Sequence, residues 1–155
     1  MKFKIKFFCS SFLISKKNIW KNLNLISSEL SFSEYGKIVP TVENINDYDV
    51  NVAIIFHQDM HDIKSIENKR YAAVISQLEK ALEKNKGIFI VGYSSYLNNQ
   101  ITRLAKKIPS SFTSAQNFKK KLYGLASKYS DLHILDLDPS FSELGYSKIF
   151  DSRNW

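Results

Sequence analysis

Two apolar stretches of strand length decide the fold: Asn51-Val52-Ala53-Ile54-Ile55-Phe56 and Gly87-Ile88-Phe89-Ile90-Val91-Gly92. A run that is apolar at nearly every position, rather than at alternate positions, is typical of a strand buried in the middle of a parallel sheet. Between the two runs, residues 66–84 place apolar side chains at helical spacing, with charged residues on the opposite face. This order of strand, helix and strand predicts a parallel crossover unit.

The same alternation extends from this unit toward both ends of the chain. The pattern predicts further strands over residues 3–9, 30–32 and 132–137, and further helices over residues 17–28, 97–107 and 114–128. The last of these helices is predicted to start with a serine cap at Ser114. We therefore predict one α/β domain with three layers, α/β/α, around a mostly parallel five-stranded sheet of the flavodoxin type.

The composition excludes several classes of protein. The chain has 155 residues, of which 44% are hydrophobic, so it can bury the core of one domain and is not intrinsically disordered. Its single cysteine, Cys9, excludes a disulfide scaffold and a cysteine-based zinc cluster. No apolar run approaches the about 20 residues that a membrane-spanning helix needs, so we predict no membrane partner.

The formal net charge of +7 is distributed along the chain. Its basic residues mostly stand at helical spacing on faces predicted to be solvated, not in one stripe with aromatic residues, so we predict no nucleic-acid partner. Near the N-terminus, Lys2, Lys4 and Lys6 alternate with apolar residues. This alternation predicts a strand rather than a secretory signal, and therefore a cytoplasmic protein.

Candidate functional residues follow the predicted strands, because ligands of such sheets bind beyond the carboxyl ends of the strands. Ser10 and Ser11 follow the first strand, where a serine nucleophile faces a cleft and the next helix supplies N–H groups for an oxyanion. The alternative is that these serines only cap the loop. Further candidates follow the later strands: His57, Gln58, Asp59 and Ser94.

Two pairs of residues have spacings that occur in cation sites. His57 and His61 stand four apart, but no third ligand accompanies them. Asp136 and Asp138 flank Leu137 at the exit of the last strand, where Pro139 instead predicts a capped turn. None of the loops is a glycine-rich phosphate loop. We therefore predict neither a metal site nor a cofactor.

Three of the loops together resemble sequence blocks of the SGNH hydrolases. Cys9-Ser10-Ser11 is similar to the Gly-Asp-Ser block, Ser33-Glu34-Tyr35-Gly36 is placed like the second block, and Phe56-His57-Gln58-Asp59 is placed like the Gly-x-Asn-Asp block. The resemblance implies that Ser11 is the nucleophile and that Gly36 and Gln58 donate to an oxyanion. The substrate site would then include Ser10, Gly36, Gln58, Asp59 and Ser94.

Over nearly its whole length, the chain also resembles the SGNH-like N-terminal domain of FkbH-like proteins. The resemblance rests on Asn117 opening a helix, on residues 132–138, and most specifically on Phe150-Asp151-Ser152-Arg153-Asn154-Trp155. In those proteins a HAD-superfamily phosphatase-type domain follows this domain. The resemblance implies that residues 1–155 form one SGNH-like domain, truncated at its C-terminus. Its partners would be the HAD-type domain that follows it or an acyl carrier protein.

The final segment departs from a working hydrolase. SGNH enzymes place a histidine base three residues after an aspartate, whereas here Asn154 stands three residues after Asp151, and Arg153 lies between them. Asparagine cannot accept a proton at neutral pH. Asp151 remains a candidate catalytic residue, and Arg153 and Asn154 are candidate substrate ligands.

We therefore predict a catalytically incomplete domain. It would assist the transfer of a glyceryl or acyl unit to a carrier protein in polyketide or surface-polysaccharide biosynthesis. The first alternative is an SGNH-type serine esterase with Ser11 as nucleophile and His57 as a displaced base. The second alternative is a non-catalytic interaction module, whose basic N-terminal region would dock an acidic carrier protein.

Overall fold

The computed structural model describes residues 3–9, 29–34, 37–45, 47–57, 67–95 and 110–144. The helices predicted over residues 17–28 and 97–107 lie outside this part of the chain. The described strands are β1 (Lys4–Phe8), β2 (Glu29–Phe32), β3 (Val50–Phe56), β4 (Ile88–Ser94) and β5 (Leu132–Asp136). The described helices are α1 (Glu67–Leu82), α2 (Ser110–Lys128) and α3 (Asp138–Leu144), and a 3-10 turn covers Val42–Asn44.

The five strands form one sheet in the order β2-β1-β3-β4-β5, and every pair of neighbours is parallel. β3 and β4 pair along their whole length, from Val50 beside Ile88 to Phe56 beside Ser94. These are the two apolar runs of the sequence, and they form the centre of the sheet. The predicted α/β fold with a parallel five-stranded sheet is confirmed, and the strand order is that of the flavodoxin type.

The core lies between the sheet and the pair of helices α1 and α2. Alternate residues of β3 and β4, among them Ile55 and Val91, are fully buried against these helices. The helices contribute the apolar positions that their sequence periodicity predicted: Tyr71, Val74, Leu78 and Leu82 from α1, and Phe118, Leu122 and Leu125 from α2. Burial of one face of each helix therefore fixes both helices on the sheet.

The predicted start of α2 is wrong. The helix begins at Ser110, four residues before the predicted cap at Ser114, and Asn117 lies inside it rather than at its beginning. A serine is a good cap, but it is also tolerated in the first turns of a helix, and Pro109 directly precedes this one. The cap rule therefore identified the helix but not its first residue.

Within the described residues, no helix has both the length and the apolar character that crossing a membrane requires.

Candidate functional site

The carboxyl ends of the three strands β3, β4 and β5 lie side by side. The register places Phe56 of β3 next to Ser94 of β4, and Tyr93 of β4 next to Asp136 of β5. Helix α3 begins at Asp138, directly after β5. Because the strands are parallel, the residues that follow them gather along this edge, where ligands of doubly wound sheets bind.

Asp138 is the centre of a hydrogen-bond network on this edge. Its Oδ1 accepts hydrogen bonds from Ser94 Oγ at 2.8 Å and from the Ser95 backbone N–H at 2.9 Å. Its Oδ2 accepts a hydrogen bond from Ser95 Oγ at 2.5 Å. Three donors on one carboxylate fix the end of β4 to the start of α3.

Lys119 of α2 supplies the positive charge of the network. Its Nζ lies 2.5 Å from Asp136 Oδ2 and 3.5 Å from Asp138 Oδ2, and all three side chains are between 20% and 27% exposed. Burial lowers the pKa of the Lys119 ammonium, but the hydrogen bond to Asp136 and the charges of Asp136 and Asp138 outweigh it. The net result is a raised pKa, so Lys119 stays charged at neutral pH. We call Ser94, Ser95, Lys119, Asp136 and Asp138 the carboxyl-edge network.

The predicted capped turn after β5 is confirmed. Asp136 Oδ1 accepts a hydrogen bond from the backbone N–H of Asp138 at 3.1 Å. Pro139 follows at the first turn of α3, where a residue without an N–H group costs nothing. The two aspartates are therefore joined through the turn, and one lysine neutralises part of their charge.

Tyr93 lies beneath the network and is 1% exposed. Its hydroxyl donates to the carbonyl oxygen of Ala115 in α2 at 3.4 Å. Burial, and to a lesser extent the negative charge of Asp138, raise the pKa of the Tyr93 phenol well above its usual value. The phenol therefore keeps its proton and acts as a neutral hydrogen-bond donor beneath the carboxyl-edge network.

His57 follows β3 and is fully buried. The Tyr71 hydroxyl of α1 contacts Nδ1 of His57 and lies 3.1 Å from Nε2. The two rings are stacked, with centroids 5.4 Å apart. Tyr71 also packs against Phe118, and Phe118 packs against Tyr93. The imidazole is thus part of a row of aromatic side chains under the edge.

Of the site residues predicted from the sequence, His57 and Ser94 belong to the described part of the chain. The structure places them at the ends of neighbouring strands, His57 in contact with Tyr71 and Ser94 with Asp138. Ser94 is 1% exposed, so its contact with Asp138 is internal to the network. The remaining predicted residues lie outside the described ranges, and their roles stay predictions: Ser10, Ser11, Gly36, Gln58, Asp59, Asp151, Arg153 and Asn154.

Sequence reasoning missed Lys119 and the contact that the Tyr71 hydroxyl makes. Tyr71 was assigned to the apolar face of α1, which is correct but omits its hydroxyl. Lys119 is the first of three consecutive lysines. The helical register separates Lys120, which points away from the buried face, but Lys119 and Lys121 flank that face on opposite sides, so the register does not single out Lys119.

The described site can bind polar groups without a metal ligand set of its own. In the described part of the chain, no group of three or more His, Cys, Asp and Glu side chains is placed to hold a metal ion. The Ser95 hydroxyl directs its proton at Asp138, which leaves its oxygen lone pairs for a donor on a ligand. The arrangement positions a ligand hydroxyl more readily than it activates a nucleophile.

No protein-family model matches the sequence, and no curated protein matches it. The fold is similar to a crystal structure of the N-terminal part of the protein BF1531 from Bacteroides fragilis, which contains a phosphatase domain and is complexed with Mg. The match has a TM-score of 0.74 and 18% sequence identity. It covers 98% of this chain and 45% of that chain, so this chain spans less than half of its structural neighbour. At this identity, the similarity establishes the α/β fold.

Proposed function

We propose that this chain is an SGNH-like domain of the FkbH-like type that is catalytically incomplete. It assists a phosphatase-type domain in transferring a glyceryl or acyl unit to an acyl carrier protein. One observation carries the proposal: nearly the whole chain superposes on less than half of a structure that contains a phosphatase domain. The Phe150–Trp155 motif, which resembles the end of the FkbH-like N-terminal domain, supports the same assignment.

The environment of His57 supports an assisting rather than a hydrolytic role. A serine hydrolase needs a base that reaches both its nucleophile and the leaving group. His57 has no exposed surface, and both of its ring nitrogens lie near the Tyr71 hydroxyl. Together with Asn154 in place of the family's histidine, this favours a domain without a functional general base.

The carboxyl-edge network supports recognition of a hydroxylated unit. Ser95 is half-buried and its hydroxyl is held by Asp138, so its oxygen is fixed in direction. A glyceryl thioester adds hydroxyl donors at the end of the carrier-protein arm, where the unloaded arm has only a thiol, which is a weak donor. Because this acceptor is already held in one direction, little conformational entropy is lost when a ligand binds, and the acceptor therefore adds selectivity.

The test compares two forms of one carrier protein. Calorimetry would measure binding of this chain to holo acyl carrier protein with a glyceryl thioester and to the same protein with a free thiol. We expect the loaded form to bind more tightly. Ser95→Ala should reduce this preference by about twofold to tenfold, the value of one hydrogen bond.

Ser130→Ala is the matched control, because Ser130 is an exposed serine before β5, away from the carboxyl edge. It should leave the preference unchanged. Equal affinity for the loaded and unloaded carrier protein would contradict the proposal.

The esterase alternative is tested separately with a fluorophosphonate probe, which labels activated serines covalently. We expect no labelling of the wild type at concentrations that label an active serine esterase. Labelling that disappears in Ser11→Ala and persists in Ser94→Ala would establish Ser11 as a reactive nucleophile and replace the assisting role with a hydrolytic one.

A further inference from the structure

A cavity of about 520 Å³ lies beside helices α1 and α2, apart from the carboxyl-edge network. One side chain of α1 and five of α2 line it: Tyr71, Ser114, Asn117, Phe118, Lys120 and Lys121. A volume of this size lies in the range of sites that hold small organic ligands. Apart from Tyr71, none of the lining residues takes part in the contacts on which the proposed function rests, and of the two phosphate sources considered below only the carrier-protein arm rests on that function.

The floor of the cavity is aromatic. Phe118 is 1% exposed and Tyr71 is 5% exposed, and their ring centroids are 5.1 Å apart. Both side chains belong to the core, so their positions are fixed by packing rather than by a ligand. The floor is therefore a rigid apolar boundary, of which only a small part is exposed to an apolar or planar group in the cavity.

Within the described ranges, the rim of the cavity is positively charged and no carboxylate pairs with it. Lys120 and Lys121 are exposed, and neither forms an ion pair with a carboxylate of the described residues. Their neighbours on the same helix differ, since Lys119 pairs with Asp136 and Lys128 pairs with Glu79. None of the described lining residues is acidic. The rim thus carries two positive charges with an apolar floor below them.

Helix geometry explains why consecutive lysines of α2 lie at different parts of the molecule. Successive residues of an α-helix point about 100° apart, so Lys119 reaches β5 while Lys120 and Lys121 border the cavity. Asn117 precedes Lys121 by four residues and lies on the same face. Its amide can donate to one oxygen of an anion while a lysine binds another.

We infer that this cavity binds a small organic phosphate. Its phosphate group would bind Lys120, Lys121 and the Asn117 amide, and its apolar or planar part would lie over Phe118. Lysine is a common phosphate ligand, because its compact charge attracts phosphate oxygens without requiring a fixed bidentate geometry. Two sources share this chemistry: a free phosphorylated metabolite and the phosphopantetheine arm of a carrier protein.

The first experiment uses phenyl phosphate as the probe, because it combines a phosphate with a planar apolar ring. Titration followed by amide chemical shifts should give saturable changes confined to α2 and the start of α1. Inorganic phosphate, which lacks the ring, and phenol, which lacks the phosphate, should each bind more weakly. The double variant Lys120→Gln/Lys121→Gln should lose about tenfold or more in affinity for phenyl phosphate.

The matched control is Lys84→Gln/Lys86→Gln, which removes the same charge from two exposed lysines that do not line the cavity. It should bind phenyl phosphate as the wild type does. Equal losses in the two double variants would show a general charge effect and overturn the site. So would an absence of saturable changes at millimolar phenyl phosphate.

A second titration distinguishes the two sources of phosphate. If the natural ligand is a carrier-protein arm, 4′-phosphopantetheine should bind more tightly than phenyl phosphate and compete with it for the same amide signals. If the natural ligand is a free metabolite, 4′-phosphopantetheine should bind no better than phenyl phosphate. Competition that persists in Lys120→Gln/Lys121→Gln would place the binding elsewhere and contradict the inference.

Discussion

The amino and carboxyl edges of the sheet, where the strands begin and where they end, differ in the chemistry of the side-chain contacts that are at least partly buried. At the amino edge, Asn51 Nδ2 donates to the Ile45 carbonyl and to Asn85 Oδ1, each at 3.1 Å, and Asn85 donates to the carbonyl of Gly87. These are neutral amides, and Asn51 is fully buried. At the carboxyl edge, Asp136, Asp138 and Lys119 join the elements through charged groups that are partly exposed.

The difference shows where this fold tolerates groups that respond to solvent and ligands. Neutral amides satisfy buried backbone groups without any charge to desolvate, so they suit an edge that only closes the fold. Charged groups cost more to bury, but they can exchange partners with a ligand. Accordingly, the charged side chains lie at the carboxyl ends of the strands, where ligands bind. The neutral amides at the amino edge hold the loops that precede β3 and β4.

The largest effect should come from adding a side chain at Gly87, at the amino edge of the sheet. A Cβ at Gly87 would overlap the backbone carbonyl of Asp49, which itself accepts the Ile88 N–H at 3.0 Å. Gly87→Val should therefore lower the free energy of unfolding by about 3 kcal/mol, measured by urea denaturation. Gly124→Ala is the control: nothing lies within 4 Å of a Cβ there, and α2 should gain about 0.5–1 kcal/mol. Unchanged stability of Gly87→Val would show that Gly87 does not lie this close to the Asp49 carbonyl.

The intermediate effect should separate the two edges by their response to salt. Asp138→Ala removes the acceptor of Ser94 and Ser95 and one partner of Lys119, and should cost about 2 kcal/mol at low ionic strength. Because the pair is partly exposed, this loss should shrink in about 1 M salt, where charges are screened within about 3 Å.

Asn51→Ala is the matched variant at the amino edge, with a loss of about 1–2 kcal/mol from unsatisfied polar groups. Its loss should be the same at low and high salt, since the contacts involve no charge. If salt changed the loss of unfolding free energy equally in Asp138→Ala and Asn51→Ala, the proposed difference between charged and neutral edges would be wrong.

The smallest effect should follow from the raised pKa of Lys119. A lysine whose pKa is higher in the folded than in the unfolded state stabilises the fold below the unfolded value of about 10.4. That contribution disappears as the pH rises through the folded value. The wild type should therefore lose up to about 1 kcal/mol of unfolding free energy above about pH 10.4.

Lys119→Arg serves as the comparison, because arginine keeps its charge throughout this range. Its unfolding free energy should fall less steeply than that of the wild type over the same pH values. All other lysines and tyrosines are common to both proteins, so the difference reports Lys119. Parallel pH profiles would contradict the assignment of Lys119 to the network.

The fold could be predicted from the sequence because its signals are local. The apolar runs of β3 and β4 and the periodicity of α1 each lie within a short stretch, and burial in the sheet then follows from their order. The start of α2 at Ser110 could not be predicted, since a serine that can cap a helix can also continue one.

The candidate site was harder to predict because its contacts join distant parts of the chain. Asp138 and Pro139 form a turn that sequence rules identify, and Ser94 was located by its place after a strand. The contact between Lys119 and Asp136, by contrast, depends on which of three lysines faces β5. The pairing of Tyr71 with His57 likewise follows from the packing of α1, not from either residue's neighbours.

The position of β3 in the sheet has a consequence for the order of folding. β3 separates the pair β2-β1 from the pair β4-β5, and β1 pairs with it through Ile5 and Val50, which are far apart in sequence. Contacts between distant residues form slowly, because a long loop must close before they contribute. We therefore expect docking of β3 to be the step that makes folding cooperative. Until it occurs, the two halves of the sheet have no common strand, and the aromatic row beneath the carboxyl edge cannot assemble.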